Sequence, residues 1–181
     1  MIATLDQEAL DQETLETLMT QTSQPDRPAI LVFPPLVPLG VLLLGLLLQW
    51  LLPLGLLAQI APLPRHIVGV LAFAAGMALV IVANRHFQST GTNTRPTLPA
   101  TALATGGIFA HLRNPMYVGG CLALFGIALG FALDWVLLLE LASLPLIHYG
   151  IVLQEELYLE TKFGEPYRRY KASVPRYGWR L

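Results

Sequence analysis

Residues 116–153 read MYVGGCLALFGIALGFALDWVLLLELASLPLIHYGIVL, two apolar stretches separated by only a few residues around Asp134. As helices, 116–133 and 135–153 each have about the length needed to cross a ~30 Å hydrocarbon core. The link between them is so short that the chain must reverse direction, so the sequence predicts an antiparallel pair of spanning helices. Gly126 and Gly130 form a GxxxG pattern in the first helix, a spacing that permits close approach of another helix.

Two further apolar stretches lie upstream, at about 30–52 and 67–83. The composition agrees with four such segments. Apolar residues make up 54% of the 181 residues and charged residues 13%, against about 25% charged in soluble domains, and the mean hydropathy is +0.57. The sequence therefore predicts an all-α integral membrane protein with about four transmembrane helices, near 30–52, 67–83, 116–133 and 135–153.

Charge and cysteine content exclude several classes of function. The net charge of −1 provides no basic field that would recruit nucleic acid. One cysteine, Cys121, excludes a disulfide framework and a multi-thiolate metal site. The sequence contains no HExxH, Walker, CxxC or Rossmann glycine motif.

The distribution of basic residues predicts the orientation. Six of the eleven Lys and Arg residues follow the fourth stretch and three lie between the second and third. Because cytoplasmic loops are enriched in Lys and Arg, both termini are expected on the cytoplasmic side. Residues 1–28 are predicted to be a polar acidic tail and 29–181 one membrane domain. Its end, 154–181, is predicted to be a cytoplasmic amphipathic segment that lies at the interface or covers a pocket.

Two motifs concentrate chemistry on the predicted cytoplasmic face. In Arg113-Asn114-Pro115, Asn114 suits the N-cap and Pro115 the first position of the third span. A helix N-terminus beside an arginine attracts anions, although a membrane anchor and a helix cap would also explain the motif. Glu155 and Glu156 end the fourth span. Two adjacent carboxylates at a membrane boundary repel each other and lose solvation, which is unfavourable. A polar flank of the span would also explain them. Neighbouring helical residues point about 100° apart, so we expect only one to face the interior.

The predicted hairpin brings these two motifs to the same membrane depth, which places an anion-binding element beside a cation-binding one. Two other ionisable residues of the fourth span are weaker candidates. Glu140 lies near the non-cytoplasmic end and is expected to reach water. His148 lies deeper and is expected to bond a neighbouring helix.

The order and spacing of these motifs resemble the isoprenylcysteine carboxyl methyltransferase family, which is related to the phospholipid N-methyltransferases. The resemblance extends over roughly residues 30–180 and rests on RNPMYVG at 113–119 and, after the hairpin, on Glu155-Glu156-Leu157, Phe163-Gly164, Tyr167, Tyr170 and Val174-Pro175-Arg176. It implies an integral membrane methyltransferase that requires no metal. It also implies S-adenosylmethionine as the cofactor, in a cytoplasmic pocket formed by the last two spans, the preceding loop and the C-terminal segment.

The resemblance also implies a set of site residues. Arg113 and Glu156 are the catalytic candidates, and Arg168 is a further member of the implied pocket. Gly119 is expected to allow close approach of the cofactor. The implied cofactor-binding residues are His111, Arg113, Tyr117, Gly119, Glu155, Glu156 and Arg176. An arginine suits the carboxylate of S-adenosylmethionine, a glutamate suits its ammonium or ribose hydroxyls, and aromatic faces suit its sulfonium.

Two positions depart from the family pattern and affect the acceptor. Asn114 stands where eukaryotic members often have His, and Phe109 where a Tyr is common. With only His111 nearby as a neutral base, a lipidic or lipid-anchored carboxylate is favoured as acceptor, because an amine must first lose a proton.

Three alternatives stay open. The first is phospholipid amine N-methylation. The second is a membrane reductase that binds NADPH, because some sterol reductases share a similar C-terminal hairpin. In that case Arg85 and Arg95 are the basic residues near the loop that could meet a 2′-phosphate. The third is a non-catalytic membrane scaffold.

Overall fold

The computed structural model describes residues 26–91 and 98–178, and within these ranges it consists of helices and turns without a strand. The predicted tail up to residue 25 lies outside the described residues. The helices are α1 (Leu36–Leu51), α2 (Pro62–Thr90), α3 (Pro115–Phe131), α4 (Asp134–Ile147), α5 (Leu153–Phe163) and α6 (Glu165–Ser173). A π-helical turn, His148–Val152, joins α4 to α5 without a break. Short 3-10 turns lie at Leu57–Gln59 and Gly107–Ala110.

Each predicted apolar stretch contains a helix, but the ends differ from the prediction. α1 begins at Leu36 instead of near residue 30, because Pro34 and Pro35 disfavour helical backbone before them. The preceding segment is held against the π-helical turn, where the Leu31 amide donates to the Gly150 carbonyl at 2.9 Å. The predicted end of the fourth span near residue 153 is not a helix end, because the helix continues to residue 163.

Two of these helical segments are long and apolar enough to cross a membrane, α2 and the continuous helix 134–163. α1 and α3 are shorter apolar helices of 16 and 17 residues. Large apolar side chains on the outer faces of α1 and α2 are exposed, among them Trp50, Val70 and Leu71. Contiguous exposed apolar surface of this kind is rare in soluble monomers and is expected where a protein faces lipid.

The closest helix contact is between α2 and α3, along facing rows of small residues. Gly119, Ala123, Gly126 and Gly130 repeat at helical spacing on one face of α3. A Cβ atom at Gly126 would lie 2.6 Å from the Gly69 carbonyl oxygen of α2. Gly126 therefore needs to lack a side chain at this contact, whereas a Cβ atom at Gly130 would meet nothing within 4 Å, although the Gly130 backbone lies close to Gly69.

Gly119 belongs to this same interface, which corrects the expectation that it allows approach of a cofactor. A Cβ atom there would lie 2.7 Å from the Gly76 carbonyl oxygen and 2.9 Å from the Val80 side chain, both on α2. The absence of a side chain at Gly119 lets two helices meet, and another part of α3 faces the cavity described below.

The hairpin tip is anchored to the loop between α1 and α2. The Asp134 side chain is buried, and its carboxylate accepts hydrogen bonds from the Gly55 amide at 2.8 Å and the Leu57 amide at 2.7 Å. The Trp135 indole N–H donates to the Leu52 carbonyl at 2.7 Å. These bonds satisfy backbone groups of an irregular loop and hold α1 beside α4.

At the opposite end, a buried cluster ties the C-terminal segment to the helices. Tyr167 and Tyr170 of α6 pack with Phe109 and with Ala83 of α2. The Tyr170 hydroxyl donates to the Phe109 carbonyl at 2.7 Å. This cluster holds the Gly107–Ala110 turn and α6 against α2.

Candidate functional site

A cavity of about 450 Å³ opens between the start of α1, the 98–114 loop, α3 and the continuous helix 134–163. Sites for small molecules and cofactors occupy roughly 300–1,000 Å³. Polar side chains gather at the end near the loop and the C-terminal segment: Arg113, Asn114, Tyr117, Glu155, Glu156 and Tyr158. Most of the remaining lining is apolar, so the cavity has a polar end and a long apolar part.

Glu156 of α5 is the centre of the polar end. Its side chain is buried, with 4% of the residue exposed. Arg176 of the C-terminal segment binds both carboxylate oxygens, with Nε 2.9 Å from Oε1 and Nη2 2.8 Å from Oε2. Arg113, at the start of α3, places Nη1 2.9 Å from Oε1. The hydrogen bonds that Arg176 donates to Glu156 raise the pKa of Arg176. Because arginine stays protonated in proteins, the cluster holds two cations around one carboxylate.

Arg113 is buried and keeps unused donors. Its side chain is 8% exposed. Nε has no hydrogen-bond partner among the described residues. Nη1 forms an ion pair with Glu156, but its N–H bonds do not point at the carboxylate as a hydrogen bond requires. An unused guanidinium donor in a cavity is suited to a carboxylate or phosphate of a ligand.

Glu155 also faces the cavity, and the expectation that only one glutamate of the pair does so is wrong. The Tyr117 hydroxyl of α3 donates to Glu155 Oε1 of α5 at 2.7 Å. The two carboxylates point in different directions. Glu155 meets α3 on one side of α5, and Glu156 meets the C-terminal segment on the other, so neither points into solvent. Glu155 makes no ion pair within the described part of the chain, so it is free to meet a cation.

The C-terminal segment covers this end of the cavity. The Arg113 and Asn114 amides donate to the Pro175 and Arg176 carbonyls at 3.0 and 3.3 Å. Asn114 occupies the predicted N-cap position and Pro115 the first helical one, but the Asn114 side chain makes no cap bond and donates to the Arg176 carbonyl. The backbone of this segment thus ties the start of α3 to Arg176, which in turn contacts α5 through Glu156.

His148 is held by the same segment. The prediction was a bond to a neighbouring helix, but the ring Nδ1 lies 2.7 Å from the Tyr177 hydroxyl. His148 begins the π-helical turn, and Tyr177 belongs to the segment that follows α6.

Other predicted residues lie away from the cavity. His111 is exposed at the end of the 107–110 turn and is not among the described residues that line the cavity. Arg168 pairs with Glu165 at 3.0 Å on an exposed face of α6. Among the described residues, no three His, Cys, Asp or Glu side chains gather as a metal site would require.

Sequence reasoning did not assign Tyr158, Tyr167 or Tyr170 to the site, although all three line the cavity, and it misjudged Glu140. Tyr158 lies one turn after Glu155, and its hydroxyl accepts the Ala100 amide at 3.0 Å and donates to Asp26 at 2.8 Å. Tyr167 lines the cavity from α6. The helical spacing of 155 and 158 was a usable signal for Tyr158. Glu140 is buried and does not reach water, because it lies inside the bundle at the apolar part of the cavity.

Comparison with protein families finds a match for this chain. Residues 64–166 match the family model described as phospholipid methyltransferase. The matched segment is more than half of the chain and includes Arg113, Tyr117, Glu155 and Glu156. No curated protein and no solved structure matches the chain. The family match confirms the resemblance drawn from the arginine and glutamate motifs, and the chain belongs to the phospholipid methyltransferase family.

Proposed function

We propose that this protein is an integral membrane methyltransferase that uses S-adenosylmethionine to methylate a lipidic or lipid-anchored acceptor. The observation that carries the proposal is the Arg113–Glu156–Arg176 cluster at the polar end of a mostly apolar cavity, in which the Arg113 and Glu156 side chains are buried and Arg176 is partly exposed. It lies within and just after the segment that matches the methyltransferase family. A water-soluble cofactor suits the polar end, and an apolar acceptor suits the remainder.

The residues at the polar end fit the charged groups of this cofactor. When bound, S-adenosylmethionine supplies an electrophilic methyl group on a sulfonium. Arg113 would hold the α-carboxylate with its unused donors. Glu155 would hold the α-ammonium or the ribose hydroxyls, while the Tyr117 hydroxyl donates to its Oε1 and orients the carboxylate.

Glu156 and Arg176 are proposed as positioning residues. Glu156 orients the Arg113 guanidinium, and Arg176 orients Glu156 through two hydrogen bonds. Methyl transfer is an in-line displacement, so precise alignment of the nucleophile with the methyl group supplies much of the rate. An ion cluster with a buried carboxylate bound by two arginines would provide that alignment.

The proposed acceptor group is a carboxylate. No histidine is among the described residues that line the cavity, and Glu156 is occupied by two arginines. A carboxylate acceptor needs no base, because it is already ionised at neutral pH. One observation favours a second candidate, phospholipid amine N-methylation. Glu155 lacks a cationic partner within the described chain and could bind an ammonium and receive its proton.

The cofactor is tested by calorimetric titration of the purified protein with S-adenosylmethionine and, separately, with NADPH. We expect saturable binding of S-adenosylmethionine and none of NADPH, because the cavity pairs a buried arginine with an unpaired carboxylate. Binding of NADPH alone would contradict the proposal and favour the reductase. Binding of neither would favour a scaffold.

The acceptor group is tested by the stability of the transferred label. With S-adenosylmethionine carrying a radioactive methyl group and native membranes as the acceptor source, we expect a methyl ester that releases methanol in alkali. Label that survives alkali on phosphatidylethanolamine would contradict the carboxylate and establish the amine. Membranes without the protein give the background.

We also propose four membrane-spanning helical segments with both termini in the cytoplasm. The N-terminal and C-terminal parts of the described chain meet at one end, where Lys162 contacts Asp26 at 2.6 Å, and the Leu57–Gln59 turn lies at the other. In a Cys121→Ala background, Gln59→Cys should react with a membrane-impermeant thiol reagent on intact cells. Gln88→Cys, exposed at the far end of α2, should react only after permeabilisation. Labelling of Gln88→Cys from outside would overturn this topology.

A further inference from the structure

Glu140 is a buried carboxyl that the proposed cofactor site does not use. Only 5% of the residue is exposed, and it lines the apolar part of the cavity together with Cys121 and Leu124. Its Oε2 has no hydrogen-bond partner among the residues of 26–91 and 98–178. Ser143 does not supply one, because its hydroxyl donates to the Glu140 backbone carbonyl at 2.7 Å. A buried oxygen without a partner costs free energy that a ligand group would recover.

The distance between the two ends of the cavity indicates the size of that ligand. Glu140 and Glu155 lie on the same continuous helix, fifteen positions apart, which corresponds to about 22 Å of rise. The wall between them is formed by side chains such as Ile147 and Ile151. One acyl chain extends over about half of the ~30 Å hydrocarbon core, and a hydrogen bond at each end adds about 3 Å. A single long chain bonded at both ends therefore covers the distance from the polar end to Glu140.

The chemistry of a carboxyl group indicates what the far end of the ligand carries. An ionised carboxylate only accepts hydrogen bonds, whereas a protonated one also donates. A hydroxyl donates and accepts, and it therefore complements Glu140 in either state. A plain hydrocarbon end would leave Oε2 unpartnered.

We infer that the deep end of the cavity, at Glu140, is a binding subsite for a hydroxyl group at the far end of a long apolar acceptor. The inference rests on the proposed function, in which the reacting end of that acceptor lies near Arg113 and Glu155. It specifies the substrate class as a single-chain, hydroxyl-terminated lipid. Glu140 acts in recognition and takes no part in methyl transfer.

The test uses native mass spectrometry of the purified protein in detergent with an equimolar mixture of 16-hydroxyhexadecanoic acid and hexadecanoic acid. The ratio of the two bound species is compared between variants in the same mixture, so differences in partition into detergent cancel. We expect the wild-type protein to enrich the hydroxylated acid about fivefold relative to Glu140→Leu, as one additional hydrogen bond allows. Glu140→Gln should retain most of the preference, because an amide also donates and accepts.

Glu160→Gln is the matched control, since it removes a glutamate that pairs with Lys171 on a partly exposed face outside the cavity. It should keep the wild-type ratio. Equal ratios in wild type, Glu140→Leu and Glu140→Gln would overturn the inference, as would a wild-type spectrum with neither acid bound. If Glu140→Leu fails to fold, the comparison uses Glu140→Asp, whose shorter side chain is expected to reduce the preference. S-adenosylmethionine binding is measured on the same samples. A protein that keeps the hydroxyl preference but does not bind S-adenosylmethionine would refute the methyltransferase proposal and still support the subsite.

Discussion

Glu156→Gln is expected to lower the free energy of unfolding by about 3–5 kcal/mol, the usual cost of breaking a buried ion pair from one side. The substitution removes the charge that Arg113 and Arg176 share at 2.8–2.9 Å. It leaves a guanidinium of 8% exposure without a counter-charge. Because Arg176 also fixes the C-terminal segment over the cavity, S-adenosylmethionine binding should be lost with it. Chemical denaturation in detergent and calorimetric titration measure the two effects.

The matched control is Glu160→Gln on the same helix. Glu160 pairs with Lys171 at 3.0 Å, but both side chains are partly exposed, so its removal should cost at most about 1 kcal/mol. Equal stability of the Glu156 and Glu160 variants would show that the cluster is not a structural centre. Unchanged cofactor affinity in Glu156→Gln would remove its positioning role.

Arg113→Ala is expected to weaken S-adenosylmethionine binding by about 2–4 kcal/mol, or roughly 30- to 1,000-fold, because a desolvated charge on the ligand loses its partner. The variant also leaves Glu156 with Arg176 as its remaining cation. Arg113→Lys separates the two roles, since it preserves the charge beside Glu156 but lacks the planar fork that binds a carboxylate through two donors. It should fold well and still bind the cofactor more weakly. Titration calorimetry gives the affinities.

Arg168→Ala is the control for charge removal, because Arg168 pairs with Glu165 on the exposed face of α6. Its affinity for the cofactor should equal that of the wild type. Wild-type affinity in both Arg113 variants would exclude Arg113 from the cofactor site. A loss in Arg168→Ala as large as in Arg113→Ala would point to a general effect of net charge instead.

Several features were predictable because they depend on local sequence. The apolar lengths and the short link at Asp134 predict the α3–α4 hairpin, and Pro115 marks the start of α3. The small residues at 126 and 130 predict a close helix contact, which α2 provides. The hairpin also implies that Arg113 and Glu156 meet at one depth, and they do so at 2.9 Å. The motifs themselves were sufficient to identify the family, which the match over 64–166 confirms.

The sequence by itself therefore determined the helical hairpin, the family and the pairing of an arginine motif with a glutamate motif. Only the tertiary structure decided which neighbour covers each face of a helix. Gly119 faces α2 instead of the cavity, His111 stays outside, and both glutamates face inward because α3 and the C-terminal segment flank α5. Glu140 is buried because it lines the apolar part of a cavity that segments far apart in the chain enclose. Local sequence specifies the spacing of residues along a helix, but the environment of each side chain depends on contacts between segments far apart in the chain, which no local pattern encodes.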